Sequence, residues 1–81
     1  MVNEEKPETM VFMTGRKIHN DVRYLSSRLW MYGVITKYTD NEIHIQVRNG
    51  ENVEIIRDIV TRLLDDRNIG YEYKLYTHRS N

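Results

Sequence analysis

Residues 34 to 48 alternate apolar and polar positions on either side of Asp40-Asn41, and this alternation restricts the chain more than any other stretch. A period of two places successive side chains on opposite faces of a strand. Asp-Asn is short, polar and tolerant of the left-handed region, so it predicts a two-residue hairpin turn with positive φ angles. The register that follows sets Tyr38 opposite Ile43, Thr36 opposite Ile45 and Val34 opposite Val47, making one mostly apolar face for the core. Ile35, Lys37, Thr39, Glu42, His44, Gln46 and Arg48 fall on the other face, which is polar enough to meet water.

The rest of the chain supplies partners for that hairpin. Thr9 to Thr14 is an apolar run stopped by Gly15, which fits a buried strand. Asn20 or Asp21 is suited to start a helix. Val22, Leu25, Leu29 and Tyr32 follow at helical spacing, and Gly33 is the natural stop. The spacing predicts a helix of about three turns that leaves Arg23, Ser27 and Arg28 outside. Past Asn49-Gly50, a second helix is expected from Glu51 to Asp66. Ile56, Ile59, Val60, Leu63 and Leu64 form its apolar stripe, with Glu54, Arg57, Asp58 and Arg62 opposite. Asn68-Ile69-Gly70 reads as the exit turn. Tyr71 to Thr77 alternates again, Tyr71, Tyr73 and Leu75 against Glu72, Lys74 and Tyr76.

Strand, helix, strand, strand, helix, strand is the split βαβ or ferredoxin-like pattern. It predicts an α+β fold in which two helices cover one face of a four-stranded antiparallel sheet. Residues 1–8, which hold the only proline, read as a tail, 9–78 as a single domain and 79–81 as a polar end.

Composition narrows the function classes. Lys plus Arg and Asp plus Glu are balanced at 12 each, so no basic excess argues for nucleic-acid binding in bulk. There is no cysteine, which removes disulfides and thiolate metal sites. His19, His44 and His78 show no ligand spacing, so no metal and no cofactor is implied. No apolar run is long enough to span a bilayer, and the polar, acidic N-terminus is unlike a secretory signal, so a cytoplasmic location is expected. Ser26-Ser27 has neither an adjacent base nor a nucleophile-elbow context.

Gly15-Arg16, the loop Lys17 to Val22, Arg23, and the run Gly33-Val34-Ile35-Thr36-Lys37 followed by Asp40-Asn41 and Ile43 together resemble the acylphosphatase family. In that family a Gly-Arg pair enters a glycine-rich cradle closing on an arginine, and backbone amides with that arginine hold a phosphate. The resemblance implies Arg16, Arg23, Lys37 and His19 as candidate anion ligands. It also implies a strand order with the last strand beside the first, the first beside the third, and the third beside the second. The cradle here contains no glycine, with His19 and Asp21 where the family has flexible backbone. Lys37 stands at the position of the asparagine that orients the attacking water.

Frame kept and cradle lost point to a non-catalytic binding protein on an acylphosphatase-like scaffold, acting on a protein partner or a small phosphate-like anion. Trp30, His44 and Arg48 are candidates for its interaction surface, although Trp30 also suits the edge of the core. Two other readings have distinct requirements. A hydrolase of carboxyl-phosphate bonds needs Arg23 on the phosphate and another group in place of the asparagine. RNA or single-strand binding needs the open sheet face, with Lys37, His44 and Arg48 as platform, where the hairpin offers no stacking aromatic. The two outer strands are the expected places for self-pairing into a homodimer.

Overall fold

The computed structural model describes residues 8–47 and 52–77. Its elements are β1 (Glu8–Thr14), α1 (Val22–Leu29), a 3-10 turn (Trp30–Tyr32), β2 (Ile35–Tyr38), β3 (Glu42–Val47), α2 (Val53–Asp66) and β4 (Tyr71–Thr77). The strands form one antiparallel sheet in the order β2-β3-β1-β4, with β2 and β4 at the edges. This is the βαββαβ arrangement expected from the alternation of periods. Among the described residues no helix is long and apolar enough to cross a membrane.

One face of the sheet carries the core. Met10 and Phe12 of β1 and Ile43, Ile45 and Val47 of β3 are buried against Leu25 and Leu29 of α1 and Ile56, Val60 and Leu64 of α2. Ile18 and Ile69, both from loops, complete it. Each such side chain contributes on the order of 1.5–3 kcal/mol by leaving water. The helices dock because their apolar positions recur at helical spacing, and they leave the other sheet face uncovered.

α2 is bounded by its own residues. The Asn52 side chain accepts from the amides of Glu54 (2.9 Å) and Ile55 (3.2 Å), which relieves two orphan donors at the helix start. At the other end Asn68 adopts φ 57, with Asn68 N–H donating to Asp65 and Ile69 N–H to Leu64. That is a Schellman stop, and it drives Ile69 into the core.

Several expectations are corrected. Glu8 belongs to β1, opposite Val47 and Thr77, not to a tail. The register Tyr38–Ile43 and Thr36–Ile45 is present, but Asp40 and Asn41 do not have positive φ; Asn68 is the only described non-glycine that does. Their carbonyls turn instead toward the β1–α1 loop and accept from Ile18 (2.7 Å) and Thr14 (2.9 Å). A tertiary contact thus overrides the turn chemistry. α1 ends at Leu29 and tightens into the 3-10 turn, so Tyr32 leaves the apolar stripe and is exposed. Gly33, at φ 72, closes that turn. α2 starts at Val53 with Asn52 as its cap. Glu51, the Asn49-Gly50 turn, Arg48, most of the expected N-terminal tail and His78 with the polar end lie outside the described residues.

Candidate functional site

Two places could bind something: the corner between β1 and α1, and the uncovered sheet face. At the corner, Thr14 ends β1, Gly15 follows, and the chain dips so that Ile18 plugs the core. Four amides are spent on holding this shape. Thr14 donates to Asn41 (2.9 Å), Gly15 to Gly70 (2.8 Å), Ile18 to Asp40 (2.7 Å) and Asp21 to Ile18 (2.7 Å). The Thr14 hydroxyl adds a bond to the Arg16 carbonyl at 2.7 Å.

Asp21 sits at the first position before α1 but does not cap it. Asp21 is buried, its side chain 5% exposed, and its carboxylate is gripped by two arginines. Arg16 Nη1 donates to Oδ2 at 2.8 Å, and Arg67 Nε donates to Oδ1 at 3.1 Å. Arg16 also reaches the carbonyls of Lys17 (3.2 Å) and Arg67 (2.9 Å), tying the loop to the end of α2. The Arg67 guanidinium lies over the Tyr24 ring at 4.5 Å, and Arg28 over the same ring at 3.8 Å. The hydrogen bond from Arg16 holds the Asp21 carboxyl below the usual carboxylate range. Burial opposes that shift, and Arg67 adds to it.

The corner therefore carries its own anion. Arg16 is committed to Asp21, where the resemblance placed it on a phosphate. His19 is exposed in the same loop, and Arg23 is exposed on the first turn of α1. Lys37 is elsewhere: it pairs across the sheet with His44 and lines a groove of about 220 Å³ with Thr9, Ile35, His44 and Gln46. No corner residue lines that groove. Trp30 is 79% exposed on the 3-10 turn, so it is not a core-edge residue, because the tightened helix swings it out.

The uncovered face is ordered in rows by the strand register. One row holds Glu42, Met13 and Glu72; the next Lys37, His44, Val11 and Lys74; the third Ile35, Gln46, Thr9 and Tyr76. An acidic row thus runs beside a basic row, with side chains two residues apart along each strand. His44 Nε2 meets Glu42 Oε1 at 2.9 Å, joining the two rows. A second groove, of about 290 Å³, adjoins the first and shares Thr9 and His44 with it. Val11 at the centre of this face is 8% exposed, covered by its charged neighbours.

Sequence reasoning missed Arg67 and the role of Asp21. Arg67 sits between a helix and its exit turn, and nothing local says that it meets a carboxylate 46 residues earlier in the chain. The rows of the open face were half legible, since the hairpin register gave Lys37 beside His44. Their extension to Lys74 and Glu72 needed the β1–β4 pairing. Comparison with protein-family models, with curated proteins and with solved structures finds no significant match to this chain.

Proposed function

We propose that this protein is a small, non-catalytic binding module on an acylphosphatase-like scaffold, engaging a protein partner through its open sheet face. The observation that carries the reading is the Asp21 carboxylate held between Arg16 and Arg67. An internal anion takes the strongest cationic grip at the corner, and the amides of Gly15, Ile18 and Asp21 are already donated to carbonyls. A phosphate entering there would meet the like charge of Asp21 and compete with it for the same two guanidiniums. The open face favours a protein over a nucleic acid. Its basic row lies against a glutamate row, and among the described residues this face offers only Tyr76 and the His44 ring, itself bonded to Glu42, for stacking.

The test is acyl-phosphate hydrolysis by the purified protein, with inorganic phosphate titrated into the same sample and followed by NMR. No turnover and no phosphate-dependent shifts are expected. Turnover that disappears in Arg23→Ala would overturn the reading in favour of the hydrolase. Lys37→Asn, which restores the asparagine of the family pattern, should create no activity while Asp21 fills the corner. For the partner, Lys37→Glu and Lys74→Glu should lower retention of any bound protein without altering the far-ultraviolet circular dichroism.

A further inference from the structure

The outer edge of β4 offers a second surface, which meets the open face at Glu72 and Lys74 but is argued from backbone pairing and does not rest on the open-face reading. Among the described residues β4 lies at the sheet edge with a single strand neighbour, β1. Gly15 N–H donates to the Gly70 carbonyl, so Gly15–Gly70 is a hydrogen-bonded pair of the β1–β4 ladder. Antiparallel pairs alternate between bonded and non-bonded. With the register Met13–Glu72, Val11–Lys74 and Thr9–Tyr76, those three residues of β4 turn their backbone groups inward to β1. Tyr71, Tyr73, Leu75 and Thr77 therefore direct their N–H and C=O groups outward. Edge strands with such rows are usually blunted by short length, proline or charged side chains; β4 carries two charges, Glu72 and Lys74, of opposite sign. Here three of the four outward positions are apolar, Thr77 being the fourth, and Tyr71 and Leu75 are left 38% and 42% exposed.

We propose that β4 pairs with β4 of a second copy of this chain, antiparallel about a twofold axis through Tyr73. This register sets Tyr73 opposite Tyr73 of the second copy, and Tyr71 opposite its Leu75, on the helix-bearing face. It sets Glu72 opposite Lys74 of the second copy, twice by symmetry, on the open face. Those charged pairs are the non-hydrogen-bonded ones, in which side chains stand closest. A register centred on Lys74 brings two lysines together at the axis and loses both ion pairs, so the charge pattern selects Tyr73. Tyr71, Tyr73 and Leu75 of each copy form about six interstrand hydrogen bonds. The result is one eight-stranded sheet, β2-β3-β1-β4 continued by its own reverse, with both open faces on the same side. A strand pair of this length buries less than the ~1,200 Å² of a standard stable interface, which places the dimer in the micromolar to millimolar range.

Sedimentation equilibrium on the full chain across that concentration range tests the pairing. The wild type is expected to dimerise. Glu72→Lys and Lys74→Glu each turn two ion pairs into like-charge pairs and should weaken the dimer about tenfold. The double variant E72K/K74E should return to the wild-type constant. Both positions are exposed, so the monomer keeps its fold. Leu75→Pro removes an outward N–H that β1 does not use and should leave a monomer with its sheet intact. A wild type that stays monomeric at the highest concentration overturns the proposal. So does a dimer indifferent to the single charge reversals, or one that the double variant does not restore.

Discussion

Replacing Asp21 with alanine should unlatch the corner. Breaking a buried ion pair costs ~3–5 kcal/mol when the remaining charge is stranded. Arg16 and Arg67 are 46% and 40% exposed, so both guanidiniums rehydrate once the carboxylate is gone, and most of that penalty disappears. The loss of two charge-assisted hydrogen bonds and of the tie between loop and α2 remains, at about 2 kcal/mol. For a domain of this size that lowers the melting temperature by roughly 10 °C. Thermal unfolding followed by circular dichroism should be run on the wild type, Asp21→Ala, Arg67→Ala and the double variant, with an expected coupling of about 1 kcal/mol between the two sites. The pH dependence has a definite sign. The folded carboxyl is depressed, so its contribution is complete above the unfolded value of about 3.9 and fades as pH falls through the lower folded value. Wild type and Asp21→Ala should therefore differ at neutral pH and converge in acid. Vacating the carboxylate also leaves two guanidiniums facing one hole, and added sulfate or phosphate should raise the melting temperature of Asp21→Ala but not of the wild type. A melting-temperature loss under about 3 °C would refute the reasoning, as would an equal response of both proteins to sulfate.

Three further changes probe other parts of the fold. The Tyr38 hydroxyl is buried with no hydrogen-bond partner among the described residues, although the Thr36 hydroxyl is close enough to temper its shift. Tyr38→Phe should be neutral or stabilising by up to about 1 kcal/mol in denaturant titrations. Desolvation raises the folded Tyr38 pKa, so its contribution is full below the unfolded value and is lost as pH rises through the folded one; the alkaline decline should be shallower in Tyr38→Phe. Asn52→Ala removes the cap of α2 and should cost about 1 kcal/mol by the same measurement. Gly33→Ala meets no neighbour within 4 Å, so its cost comes from the φ of 72 alone, about 1 kcal/mol, and Gly33→Asn should cost less.

The amino-acid sequence by itself determined the element order, the hairpin register and the buried stripe of α2. Each of these is set by periodicity within one or two neighbouring segments. Tyr38 meets Ile43 because only that register puts the apolar residues of both arms on one face. Ile56, Val60 and Leu64 are buried because they recur every four positions. Tertiary structure alone decided the corner. Asp21 looks locally like a helix cap, and it becomes the centre of an ion cluster because the Schellman stop after α2 delivers Arg67 to it from the far end of the chain. Asp40 and Asn41 look like a positive-φ turn, and their carbonyls are redirected by the amides of Thr14 and Ile18. Likewise Tyr32 continues the helical period of α1 and Trp30 suits the edge of the core, but the chain tightens and exposes both. In each case a local preference worth about 1 kcal/mol yields to contacts between segments distant in sequence. Those contacts leave no trace in spacing or composition.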